Sequence, residues 1–426
     1  MAQPSSPQTL VQKILARASG RERVEAGEIV WAYPDLVTTP EVSFPAYVKR
    51  IRQVGVERLA YPERVVVAID HEVPVHSREG AERNRLTRQL AKELAVGHLY
   101  DGEGITHPLV IERGLVKPGL FVAAADTHTP SLGGVGALAV PFGFELTMIF
   151  ATGKIWVKVP ETIRVTLSGR PRAGVSARDI VLAVMRQLDP DEADYRVVEY
   201  QGDGLAALSI PERMTLCGLC IDGGAKSGIA AADEACRAFL EARGVTGIEL
   251  LQGDPDAAFV QEIAIDVSTL EPQVSIPPAP NHVRTVSELA EVAVQHAYIG
   301  SCASGTIQEL RDAADLLEGR RVHPDVQMLV IPATREIYRQ AMEEGVLARL
   351  LAAGAQVSTP TCGPCFGGLA QLAPGEARIS TSTRNDPGRM GSAEASIYLA
   401  SALTVTATAI VGRIADPREL LGGRGA

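Results

Sequence analysis

Three cysteines in two small-residue loops offer the most distinctive chemistry in this chain. Cys362 and Cys365 stand in Thr361-Cys362-Gly363-Pro364-Cys365-Phe366-Gly367-Gly368, and Cys302 follows Ile299-Gly300-Ser301 well upstream. A Cys-x-x-Cys turn aims both sulfurs into one hollow, and the flanking glycines let main-chain amides approach them. Three thiols are one short of a closed tetrahedral site, which suits a three-thiolate iron–sulfur cluster with one open iron. A structural zinc site needs a fourth sulfur or histidine at recognisable spacing, and a redox dithiol usually opens a helix in a small βαβ unit. On residue types alone all three stay open. A second Cys-x-x-Cys, Cys217 and Cys220, lies in an apolar Met/Leu/Ile setting that predicts packed, inert thiols.

A second set of groups suits proton transfer. Asp70-His71 follows the β-branched run Val65 to Ile69, and Asp126-Thr127-His128 follows the apolar run Leu120 to Ala125. His107 comes after the glycine turn Gly102-Glu103-Gly104. Aspartates beside histidines fix imidazole tautomers and raise basicity, as acid–base work on hydroxy acids requires. Further on, Arg384 and Arg389 sit in the turn after Arg378 to Thr383, where two guanidinium forks could hold a carboxylate.

The elements that must position these groups read as parallel α/β structure, because in open parallel sheets the ligand crevice lies outside the carboxyl ends of the strands. Strands are predicted at Glu28 to Tyr33, Val65 to Ile69, Leu120 to Ala125, Thr162 to Ser168, Val326 to Ile331, Gln356 to Thr359 and Arg378 to Thr383. Helices are predicted over Thr9 to Ala18, Phe44 to Val54, Ala177 to Leu188 and, in one piece, Thr334 to Ala353. Thr129 to Gly136 is glycine-rich but lacks phosphate-loop spacing, so it predicts close packing. Four prolines between Pro272 and Pro280 mark a linker. The expected domains are therefore 1–168, 169–280 and 281–426.

With 46% hydrophobic and 22% charged residues over 426 positions, the chain is globular. Its 8 Phe, 9 Tyr and 2 Trp against 40 Gly and 27 Pro require a core of Ala, Val, Leu and Ile, as in parallel α/β proteins. A net charge of −10 without a basic, aromatic-interleaved run argues against nucleic acid or a membrane surface. No run approaches the ~18 apolar residues of a spanning helix, and six sparse cysteines suit a reducing compartment, so a cytoplasmic protein is expected.

Taken together, these motifs resemble the aconitase superfamily, most closely the large subunits of its two-subunit branch, the 3-isopropylmalate dehydratases. The likeness rests on Asp70-His71, Gly104-Ile105-Thr106-His107, Ala125-Asp126-Thr127-His128-Thr129, Met214-Thr215-Leu216-Cys217, Gly300-Ser301-Cys302, Cys362-Gly363-Pro364-Cys365 and Thr381-Ser382-Thr383-Arg384-Asn385 to Gly388-Arg389. It implies a 4Fe-4S cluster on Cys302, Cys362 and Cys365, whose open iron acts as a Lewis acid. It implies catalytic roles for Asp70, His71, His107, Asp126, His128 and Asp222, and substrate contacts from Thr127, Thr383, Arg384 and Arg389. It also implies three α/β domains around the cluster, with the fourth, swivelling domain on a separate small subunit that brings the serine base and a further arginine. The expected substrate is a small hydroxy di-acid of the 2-alkylmalate type. The alternatives are a dehydratase of a related malate (citramalate, dimethylmalate, homoaconitate) and a non-catalytic paralogue that keeps the cluster. The chain departs from the family's usual residues at Ala303-Ser304 (Thr-Asn), Gly218 (Asn), Asp222 (Glu) and Thr383 (Asn).

Overall fold

A computed structural model describes residues 6–422. Two of its sheets are wholly parallel. The first runs His98–Asp101, Val65–Ile69, Leu36–Pro40, Phe121–Ala124, Leu138–Pro141, and the second runs Ser227–Ala230, Val197–Gln201, Thr162–Ser168, Gln261–Asp266. The third has seven strands in the order Val283–Thr285, Gln273–Ser275, Ser396–Ala400, Ala377–Ser380, His296–Ile299, Gln327–Val330, Gln356–Val357. Only Gln273–Ser275 runs against its neighbours there. The chain is thus an α/β protein with parallel sheets.

Burial explains the strand composition. Every side chain of Val65–Ile69 and of Leu36–Pro40 is buried, so neither strand alternates, as expected when helices cover both faces. Leu36–Pro40 is central in its sheet yet has no counterpart among the predicted strands: two threonines and a terminal proline disguise it as turn. The predicted helix Thr334 to Ala353 is two helices, Arg335–Glu343 and Val346–Ala352, broken where Gly345 takes φ +72°. The proline-rich stretch is not a free linker, because Gln273–Ser275 within it hydrogen-bonds into the third sheet. The segment Thr129–Val135 does pack closely: a Cβ on Gly133 would come 2.0 Å from Gly228 O, and one on Gly134 2.5 Å from Met214 N.

The predicted strand near Glu28 is Ile29–Ala32, which pairs antiparallel with Ile155–Lys158 in a ribbon of two strands. Val30, Ala32, Ile155 and Val157 point into the first core, while Trp31 and Trp156 face each other across the ribbon, 49% and 46% exposed. Among the described residues no helix is long and apolar enough to cross a membrane.

Glu199, on Val197–Gln201, is 4% exposed, and its Oε2 has no hydrogen-bond partner among the described residues. Burial pushes its carboxyl up to about 7, against the opposing pull of the Leu10 main-chain amide, Arg164 and Lys13. The folded state therefore holds this proton more tightly than the unfolded state. Stability from this group is greatest below the ordinary carboxylate range and falls as pH rises towards 7. Glu199→Gln should remove that loss, stabilising the fold at pH 8 by about 3 kcal/mol and little at pH 4. Thermal melts across that range should show the gap in Tm widening with pH; parallel curves would show that Glu199 does not titrate in the fold.

Candidate active site

The carboxyl ends of the first and third sheets converge on one hollow. From the first sheet come Asp70 and His71, beyond Val65–Ile69, and Asp126, Thr127 and His128, beyond Phe121–Ala124. From the third come Cys302, beyond His296–Ile299, Cys362 and Cys365, beyond Gln356–Val357, and Arg384 and Arg389, beyond Ala377–Ser380. His107, in the first turn of helix Thr106–Glu112, completes the wall. Eleven of the thirteen predicted site residues line this hollow. The other two sit behind it: Asp222 reaches it through His128 and Arg384, and Thr383 Oγ1 lies 3.6 Å from Cys365 Sγ.

Three histidines are held by carboxylates. Asp70 Oδ1 lies 2.7 Å from His71 Nδ1, and its Oδ2 accepts Thr106 N at 2.8 Å and Thr106 Oγ1 at 2.6 Å. Asp126 Oδ1 meets His107 Nε2 at 2.9 Å and accepts the amide of His128 at 2.8 Å, while Oδ2 is 3.7 Å from His71 Nε2. Asp222 Oδ2 lies 3.0 Å from His128 Nε2. Burial alone would strip His71 of its proton, but Asp70, Glu41 and Asp126 outweigh it and carry its pKa up to about 10. His128 is likewise raised, burial being outweighed chiefly by Asp222. Burial opposes ionisation of Asp126, yet His107, His71 and His128 hold it well below the usual carboxylate range.

Glu41, absent from the predicted site, builds one corner. It is wholly buried beyond Leu36–Pro40 and accepts the amides of His71 at 2.9 Å, Glu72 at 2.7 Å and Asp70 at 3.2 Å. Burial and the neighbouring Asp70 raise its carboxyl. The signal that could have found it is the same strand-end rule, applied to a strand that was not recognised.

All six cysteines are free, and Cys302, Cys362 and Cys365 meet at the hollow. Cys217 and Cys220 do not: both are buried in the second core, where Cys220 Sγ donates to Cys217 O and burial raises both thiols. A single zinc ion would draw its sulfurs to within about 4 Å of one another. Among the described residues, the group of three donors lying within 4.8 Å of one another is Glu41, Asp70 and His71, not the cysteine trio. The wider trio fits a polynuclear cluster better than one ion. Tyr298, packed against Cys362 and Cys365, has a buried Oη with no partner among the described residues, leaving a donor free beside them. The Cys362 amide donates to Asp70 O at 2.8 Å, so the cysteine turn is docked on the histidine loop.

The arginines are half committed. Arg384 Nε donates to Asp222 Oδ1 at 3.1 Å and Arg389 Nε to Cys365 O at 3.1 Å. Gly218 packs tightly on Ser131: a Cβ there would lie 2.2 Å from Ser131 Oγ.

Residues 12–293 and 284–412 match the model of the aconitase family (aconitate hydratase). The 3-isopropylmalate dehydratase large subunit 1 of Methanopyrus kandleri is 43% identical over 97% of this chain and 99% of its own length. A probable 3-isopropylmalate dehydratase large subunit of Methanothermobacter thermautotrophicus is 41% identical over 97% and 99%. The 3-isopropylmalate dehydratase large subunit of Moorella thermoacetica is 39% identical over the same shares.

Proposed function

The chain belongs to the aconitase family, and on that premise we propose that it is the cluster-binding large subunit of a hydro-lyase that dehydrates and rehydrates 3-isopropylmalate or a close 2-alkylmalate. The observation that carries this is the meeting, in one hollow, of three free thiols, three carboxylate-held histidines and two arginines. Cys302, Cys362 and Cys365 would hold a 4Fe-4S cluster. When bound, the cluster supplies a Lewis-acidic iron for the substrate's hydroxyl and one carboxylate.

The chain's own residues do the rest. Arg384 and Arg389 keep their terminal nitrogens for the other carboxylate, because their Nε atoms are already tied down. His71, with its pKa carried to about 10, keeps a proton at neutral pH and can deliver it to a departing hydroxyl. Asp126 stays ionised between three imidazoles and fixes which ring nitrogen faces the hollow. Each carboxylate lining the hollow is already engaged: Asp70 by His71 and Thr106, Asp126 by His107 and the His128 amide. The resemblance to the two-subunit relatives places the base that takes the carbon-bound proton on a small subunit carrying the swivelling domain, and we adopt that assignment. We place the domains near 1–168, 169–280 and 281–426, although Thr162–Ser168 hydrogen-bonds into the second sheet and Gln273–Ser275 into the third, and we propose a cytoplasmic setting.

The test pairs anaerobically reconstituted chain with a small subunit and follows the absorbance of the unsaturated product. Isopropylmalate, citramalate, dimethylmalate, homocitrate and citrate are the substrates to compare. Turnover of an alkylmalate, none of citrate, and none by this chain alone is the expected pattern. Turnover by the isolated chain would place the base within it, and turnover of citrate alone would overturn the substrate class.

A further inference from the structure

Arg178 is buried at 3% exposure, yet no step above uses it. It is the second residue of helix Ala177–Met185, whose first turn is closed by Asp179 accepting Ser176 N at 2.7 Å and Ser176 Oγ at 2.8 Å. The other oxygen of Asp179 accepts the amide of Gln273 at 2.8 Å, so this helix start is fastened to the third sheet. Into that junction Arg178 sends its guanidinium, donating from Nη1 to Ser382 O at 2.8 Å and from Nη2 to Thr381 O.

The bonds continue beyond Thr381. Its carbonyl also accepts Ser301 Oγ at 2.9 Å, and its hydroxyl accepts Gly300 N and donates to Gly300 O, each at 2.8 Å. Ser301 stands at φ +118°, a conformation a side-chain-bearing residue keeps only when its surroundings hold it. One guanidinium therefore ties this helix start to the loop that presents Thr383 and Arg384, and Thr381 carries the link on to the loop that presents Cys302. Among the described residues, its charge is met by no hydrogen-bonded carboxylate. Glu309 and Asp179 act on it through space, as do Cys365 and Cys302.

We propose that Arg178 is a positioning residue of this site, which holds the Thr381–Arg384 loop and, through Thr381, the Gly300–Cys302 loop, and sets a buried positive charge on the carbonyl it shares with Ser301, the residue before Cys302. The charge half rests on the cluster reading above; the positioning half does not. Arg178→Lys keeps the charge but cannot fork across two carbonyls, and Arg178→Met keeps bulk without either property. In the full chain without cluster, hydrogen exchange at residues 300–303 and 381–385 should quicken about tenfold or more in both variants, and little elsewhere. Unchanged exchange there in both variants overturns the positioning half. In reconstituted protein, the midpoint potential should fall in Arg178→Met and stay near the parent's in Arg178→Lys, because losing a buried cation disfavours the more negative, reduced cluster. A potential unmoved in Arg178→Met, or moved equally in both, overturns the charge half. Failure of the parent chain to take up iron overturns that half together with the cluster reading, while the exchange result still decides the positioning.

Discussion

Cys362→Ser should bleach the anaerobically purified protein and abolish turnover, whereas Cys217→Ser should leave colour and turnover in place. A three-cysteine cluster site has no spare ligand, and a serine hydroxyl at neutral pH is a poor substitute for a thiolate. The parent should carry about four irons per chain, and the Cys362 variant close to none. The control is informative because the two Cys-x-x-Cys pairs look alike in sequence but occupy different places. Cys217 is packed in the second core, whereas Cys362 opens on the hollow with Arg384 and Asp70. Colour lost in the Cys217 variant and kept in the Cys362 variant would mean that the wrong pair has been assigned. Iron content and the visible spectrum settle this without a substrate.

Asp222→Asn should cost about 10²-fold or more in kcat/KM. Its carboxylate is fully buried and serves two cations at once, His128 Nε2 at 3.0 Å and Arg384 Nε at 3.1 Å. An asparagine oxygen can accept from one of them, but it brings no charge, and a buried cation left uncompensated is destabilised by about 3 kcal/mol or more. The variant should also shift in pH. His128 is raised above its ordinary value chiefly because Asp222 outweighs burial, so in the parent its proton persists to higher pH. The stabilisation this pair gives the fold is complete below the ordinary histidine range and is lost as pH rises through the raised value. Without Asp222, the alkaline limb of the rate profile and that loss of stability should both move to lower pH. A variant as fast as the parent, with an unmoved alkaline limb, would mean that His128 does not work through Asp222.

How much of this could be read beforehand depends on whether a residue's role is local in the chain. Asp70, His71, Asp126 and His128 follow runs that can only be buried strands, so their place at a crevice follows from sheet topology. The cysteine and arginine loops carry their own turn residues and are legible for the same reason. Asp222 carried no such local signal; the resemblance alone supplied it, and only the fold shows that it bridges His128 and Arg384. Glu41 was missed because the strand before it, Leu-Val-Thr-Thr-Pro, reads as turn in a short window. Arg178 was missed because its partners lie some two hundred residues away, at carbonyls that no side-chain pattern reveals. The same holds for Gln273–Ser275, where prolines on either side hide three residues of sheet.

The ribbon at Ile29–Ala32 and Ile155–Lys158 has a practical consequence for anyone studying this protein in solution. Both tryptophans of the chain are there, directly opposite each other and half exposed, and neither lines the active-site hollow. Intrinsic fluorescence excited at the indole band therefore reports on that ribbon and its solvent, with each indole able to quench or pass energy to the other. A ligand titration followed by that signal reads whatever lies against the ribbon rather than what enters the hollow. Conversely, a fluorophore engineered at the cysteine loops would start from a background free of nearby indole.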